Sequence, residues 1–257
     1  MKKTIASILL VTPLAALAQV LPDDYTLLGA AVRTRPAYDG SRSQTTDLVP
    51  IIRYYGKPWF ARTTQGILEG GLHWDLGSGV AAGLQLSYDE GRKSSESSFL
   101  REHNFGEDID PNASVGAHLE WDTKIGPAPV GLLARYRHSV DSDRGALLDL
   151  RLNVGVYGSG GATVVLFTEA TWGSGGANST FYSVTPQQSA ASGFAIYEAG
   201  SGLRDIAFGA IGGYDLSRHW TLVASIQERV LQGDAAKSPL VEKKENMYAN
   251  AGIAYRF

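Results

Sequence analysis

The chain has 257 residues, 30 glycines, no cysteine and a formal net charge of −3. The absence of cysteine excludes a disulfide scaffold, a thiolate metal site and a cysteine nucleophile. The near-neutral charge argues against a nucleic-acid-binding protein, which needs a dense basic surface to displace counterions from phosphates.

The first element is an N-terminal targeting segment. Residues 1–3 are a short cationic region, residues 5–14 are mostly apolar, and a small-x-small motif ends at Ala18. This order is typical of a cleaved secretory signal peptide, and the apolar run is far shorter than the roughly 20 residues of a spanning helix. We therefore predict a signal peptide over residues 1–18, removed after Ala18, and one mature domain over residues 19–257.

The pattern of the remaining chain predicts twelve β-strands separated by turns and loops. The predicted strands are 25–33, 47–55, 58–65, 67–76, 79–89, 112–124, 128–139, 146–157, 162–173, 201–215, 219–231 and 246–257. Most of them match the roughly 9–11 residues of a tilted membrane-spanning strand. Residues 48–76 also allow two strands with a bulge, which would make ten strands in all.

Alternation of side chains along these strands indicates a membrane barrel. In strand 146–157 the even-numbered residues are apolar, whereas Asp149 and Arg151 lie on the other face. In the last strand the odd-numbered residues are apolar or aromatic, up to Phe257. One apolar face with aromatic ends and one polar or glycine-rich face is typical of a lipid-facing band around a polar lumen. A soluble β-sandwich also alternates, but has less need of so many small residues opposite the apolar face.

The connection lengths support the same topology. If the first strand runs outward, the turns at residues 56–57, 77–78, 125–127, 158–161 and 216–218 all fall on the periplasmic side. The long connections 34–46, 90–111, 174–200 and 232–245 then all fall outside. We therefore predict an all-β protein, a closed antiparallel transmembrane β-barrel in the outer membrane of a Gram-negative bacterium.

The predicted inward faces carry charges of both signs. They are Arg53, Glu69, Glu120, Arg135, Arg137, Asp149, Arg151, Glu169, Arg229 and Arg256. Such charges either form an ion-pair network that fills the lumen or set the selectivity of a polar pore. The sequence leaves both possibilities open.

No catalytic, cofactor or metal site is predicted. His138 and Ser139 are adjacent on one strand and point to opposite faces, so they cannot act as a base and a nucleophile together. Asp108-x-Asp110-x-Asn112 opens like a calcium loop, but the glycine and glutamate that such a loop needs at its sixth and twelfth positions are missing. Weak divalent-ion binding by this acidic loop stays open. The glycine-rich stretches lack the sequence context of phosphate loops.

Three stretches carry a family resemblance. They are Pro36-x-Tyr38-x-Gly40-Ser41, then Tyr182 with Ser189-Ala190-x-Ser192-Gly193, and then Gly233-Asp234-Ala235-x-x-Ser238-Pro239 ahead of the final strand. These stretches resemble the MipA/OmpV outer-membrane proteins, also called MltA-interacting proteins. The resemblance covers essentially all of the mature chain. It maps onto the predicted outer loops.

The resemblance implies a non-enzymatic scaffold that links a murein lytic transglycosylase to a penicillin-binding protein in cell-wall remodelling. The other implied partners are membrane lipids with lipopolysaccharide, and the barrel-insertion machinery, reached through the last strand with its terminal Phe257. A narrow pore for small solutes is the alternative function. The scaffold role conflicts with the short periplasmic turns, because a stable interface buries about 800 Å² per partner.

Overall fold

The computed structural model describes residues 26–64 and 67–257. The predicted signal peptide therefore lies outside the described residues. The strands are β1 Leu27–Pro36, β2 Gln44–Gly56, β3 Trp59–Thr64, β4 Ile67–Gly77, β5 Val80–Asp89, β6 Asn112–Ile125, β7 Ala128–Ser139, β8 Ala146–Ser159, β9 Ala162–Gly173, β10 Gly202–Asp215, β11 Trp220–Leu231 and β12 Glu245–Arg256. Each pairs antiparallel with its neighbours in the sequence, and β1 pairs with β12 to close the barrel. The predicted twelve-stranded fold is confirmed, and the ten-strand alternative is wrong.

The closing seam depends on small residues. Leu27 of β1 lies opposite Arg256 of β12, and the register continues without a bulge as far as Thr34. A Cβ atom at Gly29 would stand 2.1 Å from the carbonyl oxygen of Ile253. Glycine therefore allows the first and last strands to approach closely enough for pairing, and closure leaves the barrel without sheet edges.

The outward face of the barrel is apolar. Exposed leucine, isoleucine and valine side chains occupy the middle of the strands, for example Leu84, Leu119 and Ile226. Exposed aromatic side chains lie toward both strand ends, and they include Tyr54, Trp59, Trp121, Trp220 and Tyr214 at one end and Tyr88, Tyr136 and Trp172 at the other. An apolar band between two aromatic girdles is the surface that a barrel presents to lipid.

The two ends of the barrel differ. At the turn end, connections of two to four residues join the strands at 57–58, 78–79, 126–127, 160–161 and 216–219. At the loop end, the long connections carry three short helices: α1 Ser98–Glu102, α2 Gly175–Tyr182 and α3 Pro186–Ser192. In the described ranges, none of the helices is long and apolar enough to span a membrane.

Candidate functional site

Four segments at the loop end pack on one another and form what we call the loop cap. These segments are 37–43, 90–111, 174–201 and 232–244. Each contributes to one buried apolar cluster of Ala37, Tyr38, Leu100, Phe105, Val184 and Leu240. A loop that is merely solvated has no such core, so the loop cap is a folded layer over the barrel mouth.

Hydrogen bonds between segments hold the loop cap together. The Tyr38 hydroxyl donates to the carbonyl oxygen of Leu240 at 2.7 Å. The Ser238 hydroxyl donates to the carbonyl oxygen of Tyr182 at 2.6 Å. The backbone N–H of Gly200 donates to the Asp234 carboxylate at 3.1 Å, which holds the pKa of that carboxyl below its ordinary value.

The residues that carry the family resemblance lie in the loop cap or at its junction with β1. Ser41, Tyr182, Ala235 and Ser238 are buried, and Gly193 ends α3 in a left-handed conformation. The other members of the set are Pro36, Tyr38, Gly40, Ser189, Ser192, Gly233, Asp234 and Pro239. The sequence motif therefore encodes the packing of the loop cap.

One loop side chain reaches down into the barrel. Arg229 of β11 donates to the Asp39 carboxylate at 2.8 Å, and the hydroxyl of Tyr248 on β12 donates to its other oxygen. Burial alone would raise the pKa of Asp39, but the positive charges of Arg229 and Arg204 outweigh burial and keep that pKa below its ordinary value. Asp39 therefore stays ionised and ties the first loop to the lumen wall.

Below the loop cap, ion pairs cross the lumen. Glu69 on β4 accepts hydrogen bonds from Arg62 on β3 and, at 3.2 Å, from Arg135 on β7. Arg62 also donates to Glu120 on β6 at 2.6 Å. The Glu69 side chain is 0% exposed, so its charge depends on these partners.

A second set of ion pairs continues the network around Asp149 on β8. Its carboxylate accepts hydrogen bonds from Arg135 at 2.9 Å and from Arg137 at 3.2 Å. The hydroxyl of Thr171 donates to its other oxygen at 3.1 Å. Because these groups come from three successive strands, they join the wall of the barrel into one charged layer.

The other charges predicted to face the lumen also lie on inward positions. Arg151 and Glu169 are buried, with their charged groups 3.7 Å apart. Arg229 binds Asp39, as described above. Nearer the turn end, Arg256 donates to Asp215 at 2.6 Å, and Arg53 lies over the ring of Tyr55.

Several interior groups were not predicted from the sequence. Arg33 on β1 binds Asp47 and Glu90 at 2.7 Å each. It was the last residue of the predicted first strand, whereas β1 continues to Pro36. Arg204 lies at a register shift between Leu203 and Asp205, where the alternation that marks inward residues is interrupted. Arg92 belongs to a loop, where no periodicity indicates its direction.

A chamber of about 220 Å³ remains between the loop cap and the ion-pair network. Among the described residues, its lining contains eight arginines and no lysine, namely Arg33, Arg35, Arg92, Arg135, Arg137, Arg144, Arg204 and Arg229. Six acidic residues line it as well, namely Asp39, Asp89, Glu90, Asp110, Asp149 and Glu169. The chamber wall therefore carries two more positive than negative groups.

The acidic loop is occupied by contacts within the protein. Asp108 accepts hydrogen bonds from the backbone N–H of Ser94 at 2.8 Å and from its hydroxyl at 2.7 Å. Over residues 26–64 and 67–257, no group of three or more histidine and acidic side chains is arranged to hold a metal ion. His138 hydrogen-bonds to the carbonyl oxygen of Ser139 at 2.8 Å.

Comparison with known proteins adds four findings. The family model described as "MltA-interacting protein MipA" matches residues 28–257. A NanC porin is 12% identical with a TM-score of 0.51, and the match covers 90% of this chain and 100% of the porin. The COG4313 outer membrane channel from Pseudomonas putida F1 is also 12% identical with a TM-score of 0.51, covering 93% of this chain and 97% of the channel. Comparison with curated proteins gave no significant match.

Proposed function

This chain belongs to the MltA-interacting protein MipA family and forms an outer-membrane barrel, and we propose that it docks a murein lytic transglycosylase at its periplasmic rim. The docked enzyme would be linked in turn to a penicillin-binding protein, so that murein cleavage and synthesis are held together. The barrel itself contributes no reacting group in this proposal. Its task is to hold a partner at the membrane surface.

The periplasmic rim is the set of five turns at the turn end, because bacterial barrels keep their short turns in the periplasm and their long loops outside. Lys57 and Arg218 are exposed there on two of the turns, and Lys124 is exposed at the end of β6 beside a third. Ile125 and Leu216 are also exposed beside them. The rim therefore offers basic and apolar groups toward the cell wall.

The proposal depends on one observation: the loop end and the lumen of the barrel are both closed by the protein's own side chains. The loop segments are packed into the loop cap, and ion pairs cross the lumen beneath it. Free diffusion through the barrel is therefore disfavoured in this conformation. The rim is the surface that faces the periplasm, where an enzyme acting on murein works.

The size of the rim predicts how docking must work. An interface of standard size needs about 800 Å² from each partner, and one two-residue turn cannot supply that area. Several turns must therefore contact the partner together. Changes to one turn should weaken binding modestly, and combined changes should abolish it.

A binding measurement on the protein in lipid nanodiscs tests the proposal. We expect a purified lytic transglycosylase to bind the wild-type protein and to lose binding to the triple variant Lys57→Glu, Lys124→Glu and Arg218→Glu. The matched control reverses three exposed charges at the loop end, at Lys93, Arg101 and Lys237. Equal binding of the enzyme to both triple variants would contradict rim docking.

A second candidate function is a narrow pore for small solutes. The chamber favours it, because the lumen is not packed solid beneath the loop cap. Two solved structures with a similar fold are a porin and an outer membrane channel. Stepwise conductance in a planar bilayer would support this function, and its absence at all voltages would exclude it.

We also propose a role for the last strand in the insertion of the barrel into the membrane. β12 completes the barrel against β1, and its terminal Phe257 is exposed. This strand, with its exposed aromatic end, is the segment that the insertion machinery would recognise. A Phe257→Ser variant should accumulate in the periplasm instead of reaching the membrane.

A further inference from the structure

Arg92 is a buried arginine without a carboxylate partner among the described residues. It is 4% exposed and lines the chamber from the loop-cap side. One terminal nitrogen donates to the carbonyl oxygen of Phe181 at 3.0 Å, whereas Nε makes no hydrogen bond. No salt bridge joins Arg92 to any residue that the structure describes. Burial of this unpaired charge lowers the pKa of the guanidinium group.

Its remaining contacts fix Arg92 in place without neutralising it. The guanidinium group lies 5.7 Å from the ring centre of Tyr38 and 5.5 Å from that of Phe105. The backbone of Arg92 pairs with Ile109 in both directions. The side chain is thus preorganised at the chamber wall, which reduces the entropy lost when a ligand binds.

Two further groups in the chamber wall have hydrogen-bond donors that are unused among the described residues. Arg204 donates from Nε to Asp205 at 2.9 Å, and its two terminal nitrogens make no hydrogen bond within the described part of the chain. Tyr182 is 3% exposed and lines the same chamber. Its hydroxyl likewise has no hydrogen-bond partner among the residues described.

These donors have the chemistry of an oxyanion site. Guanidinium groups match the geometry of carboxylate and phosphate, and hydrogen bonds between charged groups are stronger than neutral ones. The acidic residues of the wall are largely engaged already, for example Asp149 with Arg135 and Arg137. The surplus of positive charge therefore falls where the unused donors lie.

We propose that the chamber binds a small solute carrying a carboxylate or phosphate group, held by Arg92, Arg204 and the hydroxyl of Tyr182. The volume of about 220 Å³ is below the roughly 300–1,000 Å³ of pockets that bury drug-sized ligands, so the ligand is a small one. The chamber lies at the loop end and the docking rim at the turn end. The proposal therefore holds or fails independently of the proposed function.

Calorimetric titration of the full-length mature protein in detergent tests it, at constant ionic strength. The probes are inorganic phosphate and succinate in separate arms, with glycerol as a neutral control. We expect saturable binding of at least one anion and none of glycerol. The arm that saturates identifies phosphate or carboxylate as the preferred group.

Variants of the wall decide whether the chamber is the site. Arg92→Gln and Tyr182→Phe should each weaken anion binding about tenfold or more, since each removes a hydrogen bond to a charged ligand. Arg101→Gln, an exposed arginine on α1 outside the chamber, should leave binding unchanged. Tyr182→Phe removes one oxygen atom and keeps the packing, so it remains informative if Arg92→Gln fails to fold. Absence of saturable anion binding, or equal binding by Tyr182→Phe and Arg101→Gln, would overturn the proposal.

Discussion

Asp39 and Arg229 are 190 positions apart in the sequence, yet their side chains meet at 2.8 Å where the first loop enters the barrel. Asp39 belongs to the loop cap, and Arg229 belongs to the lumen wall. This ion pair therefore joins the two layers that close the molecule. The hydroxyl of Tyr248 completes the contact from the neighbouring strand.

Asp39→Asn should release the loop cap while leaving the barrel folded. Removing one partner of a largely buried ion pair costs about 3 kcal/mol, because the remaining charge stays buried. The strand pairing does not involve this side chain. We expect faster proteolysis within residues 90–111 and 174–201. The difference in gel mobility between the folded and the heat-denatured protein should be unchanged. Asp141→Asn is the control, since its exposed salt bridge with Arg144 contributes little. Equal proteolysis of both variants would contradict the anchoring role of Asp39.

The same contact predicts how the loop cap responds to acid. The pKa of Asp39 lies below the ordinary value of 3.8 in the folded protein. Its stabilising effect is therefore fully present above 3.8 and is lost as the pH falls through the lower folded value. Proteolysis of the loop cap by an acid-stable protease should be equal at pH 6 and pH 5 and should rise only below about pH 3.8. In Asp39→Asn the acid dependence should be weaker. A rise between pH 6 and pH 5 would point to a different titrating group.

Gly40→Ala should disturb the packing of the loop cap. Gly40 has a positive φ of 110°, and a Cβ atom there would stand 2.9 Å from a methyl carbon of Val241. Backbone strain of this kind costs about 1–3 kcal/mol. Hydrogen exchange of the segment 37–43 should become faster. Gly106→Ala is the matched control, because a Cβ atom at Gly106 meets nothing within 4 Å. Equal exchange in the two variants would contradict tight packing at Gly40.

Glu69→Gln should weaken the barrel interior. The change leaves Arg62 and Arg135 without one of their carboxylate partners in a buried layer, which should cost about 3 kcal/mol of unfolding free energy. Urea unfolding in liposomes measures the loss. Asp75→Asn is the control at the turn end, where the carboxylate accepts a hydrogen bond only from the exposed backbone of Gly77 among the described residues. A loss below about 1 kcal/mol for Glu69→Gln would show that the ion pairs contribute little to stability.

The barrel could be predicted from the sequence because strands alternate with a period of two. In β8 this period places Asp149 and Arg151 inside and Leu148 and Leu150 outside. An even number of strands then allows the first and last strands to pair antiparallel and close the barrel.

The loop cap and the chamber could not be predicted in the same way. Loops have no periodicity, so nothing in the neighbourhood of Arg92 shows that its side chain turns inward. The bulge beside Arg204 interrupts the alternation of the strand. The sequence pattern therefore does not show that the Arg204 side chain points inward. The contact of Asp39 with Arg229 depends on where two distant segments finally lie. The family motif indicated which loops matter without showing that they pack together.

Site-specific photocrosslinking in growing cells would show which end of the barrel contacts the enzyme. A photoreactive residue is placed at Ser217 in the periplasmic rim or at Gly106 in the loop cap, and the cross-linked partners are identified by mass spectrometry. We expect a lytic transglycosylase to be cross-linked from position 217 and not from position 106. Cross-links to that enzyme from neither position, or equally from both, would contradict docking at the periplasmic rim.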